Sequence, residues 1–352
     1  MVQLATQRPV CVTGASGFVA SHVVRDLLER GYRVRGTVRD ATNEEKTAPL
    51  RALSGADDRL ELLSADLLDP TSFEAAIADC EIVIHTASPY TLNVKDAQAD
   101  LVEPAVQGTR AVLEVCHRAE GIRRVVVTSS VAAITDEPGS ERPLTEEDWN
   151  ELSSLKRNPY FYSKTLAEKA AWSFMEETSP SFELVVINPY VVIGPSLIPS
   201  LNQSHRVFVE LMTGKLPGIV NLAWGFVDVR DVATAHRLAI EVPEARGRYL
   251  CAAETMKLRQ LVELLQERGY GHYKLPKLGL ESGFGNALIK LSSFAYGRGM
   301  GSFLRTHVGR VPRFDNSKIR RELGLSFRPV DQTIVDAVED LLAWGHIERQ
   351  AP

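Results

Sequence analysis

Residues 9–24, PVCVTGASGFVASHVV, constrain the fold more than any other stretch of this chain. Residues 9–13 are a short apolar run of the kind buried in parallel sheets. From Phe18 onward apolar residues recur at helical spacing, so residues 14–17 are the turn between a strand and a helix. Such a turn must enter positive φ and must let the backbone approach a pyrophosphate closely; Gly14 and Gly17 have no Cβ to oppose either. Ala20 fills the third small position, where the helix packs on the strand. The unpaired N–H groups of the helix start then face the phosphates, which makes Thr13, Gly14, Ser16, Gly17, Phe18 and Val19 the expected cofactor contacts of this loop. The spacing Gly-x-x-Gly-x-x-Ala departs from G-x-G-x-x-G, so this stretch alone also admits an ordinary glycine turn.

The strand ends that follow extend the site. Residues 32–38 (YRVRGTV) form a second strand, whose end meets the adenosine ribose; an acid there suits the 2′-hydroxyl of NAD and a base suits the 2′-phosphate of NADP. Thr37 stands where the acid would be. Arg35 and Arg39 flank it and Lys46 follows, so the expected cofactor is NADPH/NADP+, with Arg39 the principal phosphate partner and Lys46 within reach. A solvated strand-end charge is the bland reading of Arg39. A third strand, 60–64, leads to Asp66 and Leu67, with Asp66 an acceptor for the adenine amino group or a cap before Ser72. A fourth, 82–85, leads to Thr86 and Ala87 beside the cofactor and to Ser88 on the substrate side. After a helical stretch at 96–119, a fifth strand, 123–130 (RRVVVTSS), brings Thr128. These alternating strands and helices predict an α/β doubly wound parallel sheet with ligands at the carboxyl ends of its strands.

The acid–base chemistry is expected thirty residues after that fifth strand. Tyr160 and Lys164, in YFYSKTLAEKAAW, are four apart and share one helix face, whereas Tyr162 points elsewhere. A phenol with an unperturbed pKa near 10 is a poor proton donor at neutral pH, and a neighbouring ammonium favours its phenolate. A serine hydroxyl from the TSS strand end can hydrogen-bond a substrate oxygen on which negative charge develops.

With these motifs in hand the chain resembles the extended short-chain dehydrogenases/reductases, and among them the dihydroflavonol reductase, cinnamoyl-CoA reductase and yeast carbonyl reductase group. The resemblance rests on VTGASGFVASHVV, GTVRD, SADLLD, VVVTSS, YFYSKTLAEKAAW, INPYVVIGPSL, FVDVRDVATAH and GRYLCAAE and spans roughly residues 8–270. It implies a Rossmann sheet, NADPH as hydride donor, and a Ser130, Tyr160, Lys164 triad, Ser130 being preferred to Ser129 because the family serine closes the run. It also implies that Pro189 and Val192 lie near the nicotinamide and Ser204 near the adenosine phosphates. The domain division it implies is a cofactor domain over 1–190, rejoined by 226–252, and a smaller C-terminal α/β substrate domain over 191–352. The chain departs from dihydroflavonol reductases at Thr135, where they carry a flavonoid-contacting Asn. It departs from cinnamoyl-CoA reductases at 158–162, Asn-Pro-Tyr-Phe-Tyr instead of Asn-Trp-Tyr-Cys-Tyr. Thr135 and Ile198 are expected to shape the substrate pocket. The expected activity is reduction of an aldehyde or ketone to an alcohol; NAD(P)-dependent epimerases/dehydratases or hydroxysteroid dehydrogenases, and a dinucleotide-sensing regulator, are the alternatives.

Composition narrows the partners. A net charge of −5 over 352 residues argues against a nucleic-acid binder. Cys11, Cys80, Cys116 and Cys251 form no CxxC pair and read as buried thiols of a reducing compartment. With no apolar run of membrane-spanning length and no signal-peptide core in MVQLATQR, a cytoplasmic monomer or homodimer with a small carbonyl substrate is expected. The eight histidines show no metal-ligand spacing, and His22, His85 and His236 read as structural. Asp231 is expected to cap a helix, Trp149 to anchor packing, and Thr135-Asp136-Glu137 to open a polar loop. Residues 274–313 form an insertion with seven Lys or Arg against one acid, rich in Gly and aromatics. It is read either as a substrate lid or basic rim, or as a packed helical insertion with solvated charges.

Overall fold

The computed structural model describes residues 8–88, 96–139 and 142–350. The start of MVQLATQR and residues 140–141 of the polar loop fall outside these. Seven strands build one parallel sheet: β1 (Val10–Thr13), β2 (Val34–Val38), β3 (Leu60–Ser64), β4 (Ile82–His85), β5 (Arg124–Thr128), β6 (Glu183–Pro189) and β10 (Gly247–Cys251). Their order is β10-β6-β5-β4-β1-β2-β3, so the chain reverses direction across the sheet between β1 and β4 and opens the ligand crevice there.

Helices cover both faces, which is why β1 and β4 are buried throughout. Period-two alternation divides their side chains. Val10 and Val12 pack with Val23, Leu27 and Leu28 of α1 (Phe18–Glu29) and Val232 of α8 (Val229–Glu241). Cys11 and Val83 pack with Val112 of α5 (Glu103–Arg118) and Phe174 of α6 (Pro159–Thr178). The β2 to β4 region adds α2 (Glu44–Arg51) and the one-turn helices α3 (Ala56–Arg59) and α4 (Glu74–Ile77). All four cysteines are free and buried.

A second sheet of β7 (Val191–Ile193), β9 (Ala223–Asp228) and β11 (Glu254–Lys257), and a short pair of β8 (Ile219–Val220) with β12 (Gly279–Leu280), follow β6. They share a separate core with α7 (Gln203–Met212), α9 (Leu258–Leu265) and α13 (Val330–Ala343), centred on Phe208, Leu261 and Ile334. The remaining helices are α10 (Gly283–Ser292), α11 (Arg298–His307) and α12 (Ser317–Leu323).

One expectation is corrected here. The cap of α8 is Asp228, whose Oδ1 accepts from Arg230 N at 2.7 Å, while Asp231 is buried and paired with Arg328. An acid three residues earlier in FVDVRD satisfies the same capping chemistry, and Asp231 lies within the first turn. After Leu265, α9 leaves α geometry and continues as a wide turn to Tyr270, with Gly269 at φ 93°. Among the described residues no helix is long and apolar enough to cross a membrane.

Candidate active site

The glycine turn divides its labour. Gly14 sits at φ 68°, and a Cβ there would lie 3.0 Å from the Ala87 Cα. Gly17 is extended at φ −80° and is the N-cap of α1. With no side chain to cap the helix and no acid in its first turn, the opening N–H groups of α1 are left for an anionic ligand. This bare, positive helix start beneath two glycines fits a dinucleotide diphosphate. The Thr13 side chain ties the turn to β4. Its Oγ1 accepts from Thr86 N (3.2 Å) and Ala87 N (3.1 Å), so its proton is directed to His85 Nδ1 at 2.8 Å. His85 therefore carries its proton on Nε2, and burial holds its pKa near 3, so it stays neutral.

At the ribose edge the flanking arginines separate. Arg35 is tied to Glu61 and to the Ala78 carbonyl. Arg39 and Lys46 are exposed, and no described residue engages the Arg39 side chain. Thr37 is buried and its Oγ1 accepts from Gly14 N at 3.1 Å, joining β2 to the glycine turn. Asp66 is exposed and makes an Asx turn to Leu68 N at 2.9 Å, while the turn before Ser72 is capped by Asp69. Leu67 packs on the core beside Gly108. Thr128 donates to His236 Nε2 at 2.7 Å, whose other nitrogen bonds the Val232 carbonyl; this threonine is committed to α8. Pro189 closes β6, Val192 lies on β7 and Ser204 opens α7.

Across the crevice, α6 begins at Pro159 directly after Asn158, which adopts the left-handed conformation at φ 47°. Tyr160 and Lys164 lie one turn apart on this helix, which puts them on one face. Lys164 is 9 % exposed. Burial lowers its pKa from 10.5 to about 8, against the opposing pull of Glu168. Its Nζ donates to Ser88 Oγ at 2.9 Å, so the serine expected on the substrate side positions the lysine. Thr135 and Ile198, also expected at the substrate, are buried in packed loops; Thr135 Oγ1 accepts from Glu137 N and Ile198 N is bonded to Ser196 Oγ.

The two candidate serines have different partners. Ser129 donates its proton to the buried Glu168 carboxylate. Ser130 Oγ accepts from Ala132 N at 3.1 Å, and among the described residues nothing accepts its own proton. Only Ser130 retains a donor for a substrate oxygen.

Sequence reasoning passed over the brace that holds this half together. Glu168 is 1 % exposed. It accepts from Ser129 Oγ and Asn188 Nδ2 on one oxygen and from Arg248 Nε and Trp172 Nε1 on the other. Asn188 also bonds the Ser130 carbonyl at 3.2 Å, and the Arg248 guanidinium lies 3.9 Å from the Trp149 ring centroid. A glutamate inside AEKAAW, four residues after Lys164 on the same face, was the signal available. A second brace uses the expected polar loop: buried Asp136 pairs with Arg157 and Asn158, and Glu137 with Arg157. The insertion joins it, since Asn158 N donates to Ser302 Oγ at 3.1 Å and Phe161 meets His307 ring to ring.

A glycine turn at the β1–β4 crevice, facing a Tyr/Lys helix face and a donor serine, defines the class of dinucleotide-dependent oxidoreductases. The model of the NAD dependent epimerase/dehydratase family matches residues 10–252. A cinnamoyl-CoA reductase of Petunia hybrida is 40% identical over 342 residues, 96% of this chain and 93% of that protein. A tetraketide alpha-pyrone reductase of Arabidopsis thaliana is 37% identical over 351 residues, 97% of this chain and 98% of that one. Among solved structures, the yeast methylglyoxal/isovaleraldehyde reductase complexed with NADPH matches with a TM-score of 0.80 at 30% identity, covering 96% of this chain and 99% of that chain. The chain belongs to the NAD dependent epimerase/dehydratase family, the extended short-chain dehydrogenases/reductases. The expectations of a Rossmann sheet, of NADP as cofactor and of an oxidoreductase acting on carbonyl groups are borne out by these relatives.

Proposed function

We propose that this protein reduces an aldehyde or ketone to the alcohol with NADPH, through Ser130, Tyr160 and Lys164. The observation that carries the reading is the disposition of donors: Ser129 is consumed by Glu168, Ser130 keeps its proton, and Lys164 is buried one turn after Tyr160 with its ammonium held by Ser88. The glycine turn and the α1 start hold the diphosphate, and Arg39 with Lys46 holds the 2′-phosphate.

When bound, NADPH supplies a hydride to the carbonyl carbon. Ser130 donates a hydrogen bond to the carbonyl oxygen, where charge gathers. Tyr160 gives that oxygen its phenolic proton, and the Lys164 ammonium stabilises the phenolate left behind. Because Lys164 is buried, little water screens that charge.

The test is initial-rate oxidation of NADPH, with NADH in parallel, against a panel of aliphatic and aromatic aldehydes, ketones, ketosteroids and acyl-CoA thioesters. Turnover of aldehydes or ketones with NADPH preferred is the expected result. Bound NADPH with no turnover of any carbonyl in the panel would overturn the proposal.

A further inference from the structure

The apolar surface of this molecule is unevenly distributed. Of the ten large hydrophobic residues exposed among the described residues, seven lie between 278 and 300. On α10, Phe284, Leu288 and Leu291 follow i, i+4, i+7 spacing and form one stripe; Phe284 is 82 % exposed and Leu291 70 %. Phe294 (74 %), Tyr296 and Met300 continue it through the next turn and into α11. Gly285 is the one buried residue of α10. A ten-residue helix with two glycines is marginal in water by itself, and a helix in a protein is normally held by burial of its apolar face. Here that face has no partner within the described chain, and a contiguous apolar area of this kind marks an interaction site.

Charge identifies the partner. The insertion carries seven Lys or Arg and a single acid, Glu281, within a chain whose net charge is −5. Glu281 is itself neutralised by Arg259 from α9. Lys277 is exposed just before β12, the half-buried Lys290 lies on the flank of α10 about 100° around the helix from Leu291, and Arg305 stacks its guanidinium 4.6 Å from the centre of the Phe294 ring. An isologous contact with a second copy would set this basic face against itself. An apolar stripe of Phe and Leu rimmed by Lys and Arg on a helix lying along the surface matches an anionic lipid surface, with the rings and aliphatic chains entering the headgroup boundary and the cations resting on phosphates or serine carboxylates.

We propose that α10 and the start of α11 form a peripheral docking face for anionic membranes. The face is close to the chemistry: α11 supplies Ser302 and Thr306 to Asn158, at the start of the Tyr160 helix. Docking therefore sets the substrate side of the crevice at the lipid surface, where apolar carbonyl compounds concentrate. This inference is independent of which carbonyl the enzyme reduces.

The experiment is sedimentation of the full chain with vesicles of phosphatidylcholine alone or containing about a third phosphatidylserine, at low and high salt. The expected result is at least tenfold tighter binding to the anionic vesicles, weakened by salt, and lost in the triple variant Phe284→Ser, Leu291→Ser, Phe294→Ser. In Lys277→Glu/Lys290→Glu, which leaves the apolar stripe intact, the preference for anionic vesicles disappears. Reduction of a water-soluble aldehyde keeps its wild-type rate in both variants. Three outcomes overturn the proposal. One is wild-type protein left in the supernatant with anionic vesicles. Another is a wild-type dimer in sedimentation equilibrium that the triple variant converts to monomer, which would assign the stripe to a second copy. The third is a raised KM for the soluble aldehyde in the triple variant without vesicle binding by the wild type, which would make the stripe a substrate lid.

Discussion

The two sides of the crevice are built on different principles. At β1 and α1 the backbone forms the site: a left-handed Gly14, an uncapped helix start at Gly17, and open N–H groups. At β5 and α6 side chains form it, and their positions depend on a buried polar network centred on Glu168 that gathers Ser129 just past β5, Asn188 from β6 and Arg248 from β10. A backbone site depends on a few glycines next to each other in sequence. A side-chain site depends on residues dispersed over 120 positions. One side is specified locally and the other by the completed fold.

The sharpest separation of the two sides comes from Tyr160→Phe. We expect turnover to fall roughly 10²- to 10⁴-fold, the range for loss of a general acid, while the NADPH dissociation constant stays within about twofold. Stopped-flow reduction and fluorescence titration of NADPH measure the two quantities; a matching loss of NADPH affinity would dissolve the distinction. Next is Glu168→Ala, which leaves the Arg248 guanidinium buried without its carboxylate and is expected to cost about 3–5 kcal/mol of unfolding free energy. Urea denaturation reads this directly, and a loss below about 1 kcal/mol would show that the network does not hold α6.

Arg39→Ala acts on the backbone-built side alone. It should cost NADPH binding about 1.5–3 kcal/mol, the worth of hydrogen bonds to charged groups, with NADH binding unchanged. Equal loss for both cofactors, compared by KM, would show that Arg39 does not face the 2′-phosphate. The smallest effect is on pH. Lys164 titrates near 8 in the folded protein against 10.5 unperturbed, so carbonyl reduction should decline as pH rises through about 8. The stability sign is opposite: between about 8 and 10.5 the unfolded chain binds more protons at this residue, so its contribution to stability rises with pH. A rate profile flat from pH 7 to 10 would remove Lys164 from the proton chemistry.

Legibility in the sequence follows the same division. The β1–α1 turn, the strand ends at Arg39 and Thr86, and the shared helix face of Tyr160 and Lys164 are legible in the sequence, because each rests on neighbours within a few residues. Tertiary partners that the sequence does not announce set three side chains: Ser88 holds Lys164, Thr128 bonds His236, and Asp231, expected as a cap, is the buried partner of Arg328. The hydrogen bonds by which the Thr13 side chain closes the turn onto His85, Thr86 and Ala87 are equally invisible in the spacing. The polar triplet Thr135-Asp136-Glu137 does open a loop, yet Asp136 and Glu137 also anchor Arg157 ahead of the α6 start. Nothing in the spacing of Glu168 and Arg248, eighty residues apart, announces that they meet.

Arg248 lies on β10, at the edge of the sheet and late in the chain. During synthesis from the amino terminus, the residues of the glycine turn and of the Tyr160 helix are made before β10. Until that strand pairs with β6, Glu168 lacks its counter-charge and the acid–base helix lacks its lock. The last strand of the sheet to be made thus brings the counter-charge that completes the buried network beneath the Tyr160 helix.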